Sequence, residues 1–477
     1  GTASGVFKLG EVTNLIKESK WPTAGPQGYQ SANSCRFNAG SSDYLSRTFG
    51  SGNQKTWTWS AWIKLANIDS SSEVIFGRTT ANSDSEWFTV DIRGNDKITI
   101  GIYNTNYLIT NRLFRDVSAW YHIVVAFDTT QSTANNRVRL YVNGVEETSF
   151  ATRNNPSLNF DAPLNANVEH LLGKSPSSYY EGYMAEITFI DGQQLTPTSF
   201  GEFNSQTGIW VPKVVTGLTF GTNGFYLPFT NASALGEDFS GEDNDFTVNN
   251  LTSLDQSTDT CSTNFATLNP LQFGTGSISS TTLSEGNLKF VSTQGGTAYP
   301  YYCSTMAVSQ GKWYAEFKYV SSDSGTAGIG NGVADSYAGN NAYDYSYYFD
   351  GRLYNSGSGE STGYSAISNN DILGCALDLD NNKIYFHING SYQASGDPAN
   401  NTGGKSITAA ASNGTGVYHF VIGDSGANQP TIECNFGSPM NAISSGNTDG
   451  NGFGNFEYAV PTGYLSLNTK NLAVVLA

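Results

Sequence analysis

Charge is scarce in this chain: Asp, Glu, Lys and Arg make up only 14% of it, and Met occurs three times. What charge there is leans one way, with 41 acidic against 24 basic residues and a net charge of −17. Nucleic acid and anionic membrane surfaces both call for a basic footprint, so both are excluded as partners. No dense acidic run occurs, and the charge reads as a solubilising shell. No stretch of about 20 apolar residues exists, so no membrane span is expected. The five cysteines, Cys35, Cys261, Cys303, Cys375 and Cys434, contain no CxxC pair. That argues against a zinc cluster, and the odd count and wide spacing argue against a disulfide framework. Cys375, inside the apolar pattern from Ile372 to Leu379, reads as a buried small hydrophobe. The chain opens at Gly1 with neither Met nor an apolar leader, so a processed or upstream start is expected.

Aromatics and glycine, by contrast, are plentiful: 27 Tyr, 27 Phe and 52 Gly in 477 residues. Disordered chains lack aromatics and carry many charges, so this one is expected to fold. Low charge with aromatics and turn residues predicts an all-β fold, and the length accommodates two or three domains. Residues 1–30 read as an N-terminal anchoring arm. Its segment Glu11–Glu18 is the best helix candidate, with Val12, Leu15 and Ile16 at i, i+3, i+4 spacing, and it runs out at Trp21-Pro22. Such a sticky face suits assembly or docking on the first domain.

Residues 31–205 read as strands and turns. Trp57, Trp59, Ala61, Ile63 and Leu65 alternate, as a half-buried strand requires. Trp120–Phe127 is nearly continuous in apolar residues and predicts a central strand covered on both faces. Val138–Val145 carries Asn143-Gly144, the strongest short hairpin signal. Trp59-Ser-Ala-Trp62, Trp120-Tyr-His122, Arg139-Leu-Tyr-Val-Asn-Gly144 and the closing Glu181–Asp191 followed by Leu195-Thr196 resemble the laminin-G-like, concanavalin-A-like jelly rolls. Residues 206–275 read as a connector, with two short strands around Asn223-Gly224.

Residues 276–440 read as a second β domain. Trp313, Ala315 and Phe317 alternate, and Asp371–Asp380 runs through Asn381-Asn382 into Lys383–Gly390. With the closing Asn435-Phe-Gly437, these segments resemble the SPRY (B30.2) sandwiches. Residues 441–477 form a C-terminal tail ending in Leu472-Ala-Val-Val-Leu-Ala477, an apolar stretch expected to pair as a strand or dock in an interface. The expected fold is therefore all-β: two tandem antiparallel β-sandwich (jelly-roll) domains with a short N-terminal arm.

Chemistry is sparse. Glycoside hydrolysis needs two carboxyl groups facing one cleft, and Glu186 and Asp191 are the obvious pair. Strand parity, however, points Asp191 away from the face of Glu186, and no Glu-x-Asp-x-x-Glu run occurs. His122, His170, His387 and His419 have no metal-ligand spacing, and three of them lie inside strand patterns as packed residues. Gly359-Glu-Ser-Thr-Gly363 matches G-x-S-x-G but lacks the strand and helix of a nucleophile elbow. Asp238, Glu242 and Asn244 place oxygens at alternate positions, which makes them weak candidate calcium ligands, although the glycine is misplaced for an EF-hand and an acidic solvated turn is the commoner explanation. No other cofactor is implied. The N-x-S/T triplets at Asn231, Asn250, Asn389, Asn400 and Asn413 are what chance supplies in a Ser/Thr/Asn-rich chain.

Aromatic-polar clusters are the binding candidates: Tyr343, Asp344, Tyr345, Tyr347 and Tyr348; Tyr179 and Tyr180; Tyr103 and Tyr107. Ring faces stack while hydroxyls hydrogen-bond, which suits sugar or a protein interface; the competing reading puts alternate rings in the core. The pairing of the two sandwich types, the arm and the connector Asn264–Pro270 resemble marine tailed-phage proteins of the tail-fibre, capsid-fibre or decoration type. That resemblance implies a non-enzymatic protein on the virion surface. Its partners would be other virion proteins and further copies of itself, with host glycan or receptor as ligand. The alternatives are a secreted cellular lectin or adhesin and, behind it, a polysaccharide-degrading enzyme.

Overall fold

The structure is a computed structural model that describes residues 28–68, 72–205, 207–273, 280–293, 299–333, 337–426 and 428–475. Val12, Leu15, Ile16 and Trp21 of the expected arm lie outside the described residues. The rest is almost wholly β. The single α-helix among the described residues is Thr469–Val475, and none is long and apolar enough to cross a membrane.

Alternation dictates the first sandwich. Thr56–Leu65 sends Trp57, Trp59, Ala61, Ile63 and Leu65 inward, all fully or nearly fully buried in one core. This strand lies between Trp120–Asp128 and Gly182–Asp191, antiparallel to both. Ser34–Phe37, Val138–Val142 and Val145–Glu146 extend the same back sheet. The front sheet runs in the order Phe150–Arg153, Thr105–Thr110, Lys97–Ile102, Trp87–Arg93, Glu73–Thr79, Glu169–Leu172, Tyr44–Thr48 and Thr247–Asn249. Rings fill the space between the sheets: Trp57 stacks on Phe127 at 4.7 Å and Trp59 on Phe76 at 5.7 Å. The Trp120–Asp128 strand is covered on both faces, as its sequence predicts. Ile123, Val125 and Phe127 face the core, while Val124 and Ala126 lie under Phe200 and Phe220. At the hairpin turn Asn143 and Gly144 have φ of 49° and 79°, the left-handed pair that an Asn-Gly turn supplies.

Most of residues 206–275, read as a connector, adds strands to this sandwich, while Leu268–Phe273 joins the second by pairing with Tyr301–Ser304. Phe225–Leu227 pairs with Gly182–Asp191, Thr247–Asn249 with Tyr44–Thr48, and Gln256–Ser257 with Ser34–Phe37. Around Asn223-Gly224 one strand forms, not two; a turn from Gly221 to Gly224 leads into it. Phe225, Leu227, Phe229, Leu235, Phe246 and Leu251 close one end of the first core.

The second sandwich has a seven-stranded sheet centred on His419–Asp424 and Gly325–Gly330 and a nine-stranded sheet centred on Lys312–Ser321. Trp313, Ala315 and Phe317 enter its core, while Tyr314, one residue out of phase, is covered by Phe456 and Tyr464. The tail does not dock as an apolar strand. Leu465–Ser466 pairs parallel to Lys312–Ser321, and the helix after it sets Leu472 and Val475 against the second core. Helical periodicity lets those two residues share one face while Val474, 67% exposed, takes the other.

The sandwiches meet through buried polar contacts. Lys64 holds the segment that leads into the second sandwich, bonding Asp259 at 2.7 Å and the carbonyl of Phe265 at 3.0 Å. Arg36 reaches Asp255, Glu285 and the carbonyl of Met440. The Tyr183 hydroxyl donates to the carbonyl of Gly286 at 3.0 Å.

Candidate functional site

Strand parity on the front sheet sorts its side chains into two faces. In Trp87–Arg93, Phe88, Val90 and Ile92 belong to the core, so Trp87, Thr89, Asp91 and Arg93 point outward. Across the ladder, Ile98, Ile100 and Ile102 are core, which places Thr99 and then Tyr103 on the outer face. Ile102 pairs with Thr105, so Tyr103 and Asn104 form the two-residue tip of a hairpin. Tyr103 is 46% exposed and meets the half-buried Trp87 edge to face, with 5.8 Å between ring centroids. The N–H of Asn104 donates to Asp84 at 2.7 Å, tying the tip to the loop before Trp87. The result is an aromatic ledge bordered by the exposed Asp84 and Asn104 and the half-buried Asn106.

Further along the same face, Asp91 is bonded within its own strand. It accepts the hydroxyl of Thr89 at 3.1 Å and Nε of Arg93 at 3.2 Å, and burial pushes its carboxyl above the usual range. Thr99 stands opposite Asp91, and its buried hydroxyl has no hydrogen-bond partner among the described residues.

The other sequence candidates divide by burial. Tyr107, Tyr180, Tyr345, Tyr347 and Tyr348 are buried, and so is Asp344. Tyr347 donates to the carbonyl of Ser365 at 2.6 Å, Tyr348 to that of Ala338 at 2.8 Å, and Tyr180 to that of Lys64 at 2.9 Å. Their rings pack in the sandwiches and offer no face to a ligand, which removes them from the candidate set. Tyr343 is half-buried beside this packed segment. Tyr179 is half-buried too, but Lys174 stands over its ring at 5.5 Å and over that of Tyr44 at 3.7 Å. Of the tyrosines singled out in the sequence, Tyr103 is therefore the one that presents an exposed ring. Trp87 escaped sequence reading because it opens an apolar strand; the available signal was its phase, opposite to Phe88, Val90 and Ile92.

Glu186 and Asp191 are held in separate networks. Glu186 occupies a bulge in Gly182–Asp191 with φ of 53°, where it takes hydrogen bonds from Tyr226 and, at 2.9 Å, from Tyr29. Burial raises its carboxyl. Asp191 accepts the N–H of Asn53 at 2.8 Å and the amide of Asn165 at 2.7 Å. The four histidines all lie in strands. Burial holds His122 and His170 down at about 3 and His387 at about 4. Asp238 spends its oxygens on its own loop, accepting the N–H groups of Tyr226, Ser240 and Asn244 and the hydroxyl of Ser240. Asn244 bonds Arg47 and the carbonyls of Thr222 and Gly224, and Glu242 is exposed. Among the described residues no group of three or more His, Cys, Asp or Glu side chains is placed to hold a metal. All five cysteines are free thiols.

Residues 39–198 match the family model described as the concanavalin A-like lectin/glucanases superfamily. The ledge lies inside that span. No curated protein matches the chain. Among solved structures, the SPRY domain of human HERC1 is 15% identical with a TM-score of 0.28; the likeness covers 35% of this chain and 96% of that one. A heptameric SAP-like pentraxin from Limulus polyphemus is 12% identical with a TM-score of 0.28, covering 40% of this chain and all of that one. Domain 4 of AbnA, a GH43 extracellular arabinanase from Geobacillus stearothermophilus, is 21% identical with a TM-score of 0.23, covering 30% and 64%.

Proposed function

We propose that the chain is a non-enzymatic glycan-binding protein whose first sandwich holds sugar on the Trp87–Tyr103 ledge. The observation that carries this reading is the exposed Tyr103 ring set against Trp87 beside Asn104 and Asp84. Ring faces pack on the C–H faces of a sugar, and amide and carboxylate groups pair with its hydroxyls. The lectin/glucanase family match over residues 39–198 supports a sugar ligand. The separate engagement of Glu186 and Asp191 supports binding without hydrolysis, since neither carboxylate faces a cleft shared with the other. A glycan array tests the proposal: at least one glycan class binds the full chain, and Trp87→Ala and Tyr103→Ala each weaken that binding tenfold or more. Undiminished binding by both variants would overturn it.

Display on a phage particle is the finer form of this reading. It rests on the sequence resemblance of the arm and the connector Asn264–Pro270 to fibre and decoration proteins. Mass spectrometry of purified particles detects the chain if it is correct; detection in the host lysate alone refutes it.

A further inference from the structure

Lys64 stands one residue out of phase with the core set of Thr56–Leu65, so its side chain leaves the back sheet on the outer face. A lysine in that position ordinarily reaches water. Here the side chains of Lys64 and Asp259 are 1% and 2% exposed. The Lys64 Nζ donates to Asp259 Oδ2 at 2.7 Å, to Asn264 Oδ1 at 2.8 Å and to the carbonyl of Phe265 at 3.0 Å. Rings shelter the group. The indole N–H of Trp120 donates to Asp259 Oδ1 at 3.2 Å, and Nζ lies 5.6 Å from the centre of the Tyr183 ring. Asn264 is fixed at both ends. Its Nδ2 donates to the carbonyl of Ser118 at 2.6 Å, and its backbone N–H donates to the hydroxyl of Thr469 at 3.2 Å. A salt bridge needs an amine and a carboxylate. The carboxamide held against the same amine adds an acyl group within reach of a nucleophile, and fixed proximity of this kind lowers the barrier to reaction.

We propose that Lys64 and Asn264 join in an intramolecular isopeptide bond, with Asp259 as the proton relay. An ammonium attacks only after losing a proton, and Asp259 is placed to take it. The freed amine adds to Cγ of Asn264, forming the Nζ–Cγ bond. The Cγ–Nδ2 bond then breaks, and Nδ2 leaves as ammonia with a second proton relayed from Nζ through Asp259. The products are a secondary amide, one ammonia and a neutral Asp259 carboxyl, with no oxidant or reductant required. The bond ties the central strand of the first sandwich to the segment that runs into Leu268–Phe273 of the second. With all five cysteines free, it is a covalent tie independent of redox conditions.

Tryptic digestion and mass spectrometry of the full chain test it. The wild type is expected to be lighter than its sequence by one ammonia. Trypsin should not cut after Lys64, and the Lys64 and Asn264 peptides should be recovered as one branched species. Asn264→Ala leaves the Lys64–Asp259 pair in place and should return the two peptides unlinked, as should Asp259→Ala. The wild-type digest decides the matter even where Asp259→Ala does not fold. Unlinked peptides from the folded wild type overturn the proposal, and so does a branched species that survives Asn264→Ala. Loss of one water, with the branch at Asp259, would make that carboxylate the acyl partner and would also overturn it.

Discussion

Two tyrosines of similar sequence context end up with opposite roles. Tyr103 follows an alternating strand and sits at a hairpin tip, so its ring is left in solvent beside Trp87. Tyr347 lies in a denser aromatic cluster yet is wholly buried, packed against Phe386 at 5.3 Å. Replacement should separate them. Tyr103→Ala is expected to cost at least tenfold in glycan affinity and well under 1 kcal/mol in stability, because little apolar area is lost from the core. Tyr347→Ala should cost about 3–5 kcal/mol in stability, as large-to-small changes of buried rings do. Urea unfolding and array binding, measured on both variants, check the pair. Residue density in the sequence marks where aromatics gather but not which face of a strand is covered. That is why the cluster from Tyr343 to Tyr348 stood beside Tyr103 as a candidate. Burial separates them, and burial depends on the whole sandwich.

Single elements show the same division. Period-two patterns were readable wherever the strand was long and one-sided. Trp57 through Leu65 and Trp313 through Phe317 both lie as their spacing demands. Phe225, Leu227, Phe246 and Leu251 were not readable in this way. Phe225 and Leu227 share a three-residue strand, and Phe246 and Leu251 lie outside the three-residue strand Thr247–Asn249, so no period can show there. The Asn143-Gly144 turn was legible, and the structure adds a reason for its glycine beyond the left-handed φ. A Cβ on Gly144 would lie 2.3 Å from Cε3 of Trp210, whose indole N–H donates to Nδ1 of His122 at 2.9 Å. Gly144→Ala therefore both strains the turn and displaces a buried ring. A loss of about 2–3 kcal/mol is expected in urea unfolding, whereas an alanine at the open Gly208 meets no neighbour and should cost less.

At the scale of the whole molecule the junction between the sandwiches is polar where each core is apolar. Its charges are buried in pairs, and no sequence pattern reveals such pairing because the partners are about 200 residues apart, as Lys64 and Asp259 are. Lys64→Ala would leave the Asp259 carboxylate buried without its cation, and a loss of about 3–5 kcal/mol is expected in denaturant unfolding. Glu181 gives this junction a pH response. Its oxygens accept the N–H of Ala39 at 2.7 Å in the first sandwich and the N–H of Gly286 at 3.4 Å from the second. Burial nonetheless raises its carboxyl to about 7, with Glu285 and Asp43 adding like charge nearby. A folded value above the unfolded one means that the favourable contribution is complete below about pH 4.5 and is lost as pH rises through 7. Asp43, raised by burial to about 6, acts in the same direction at lower pH. The buried histidines act oppositely, but only below about pH 6.5, where the unfolded chain takes up protons that His122, His170 and His387 refuse. Between pH 6.5 and 8.5 the histidines are silent, and the melting temperature of the wild type should fall as Glu181 ionises. Glu181→Gln keeps the neutral form at every pH, so its melting temperature should stay flatter across that window. Scanning calorimetry at several pH values checks this, and an equal slope in both proteins would assign the response to another group.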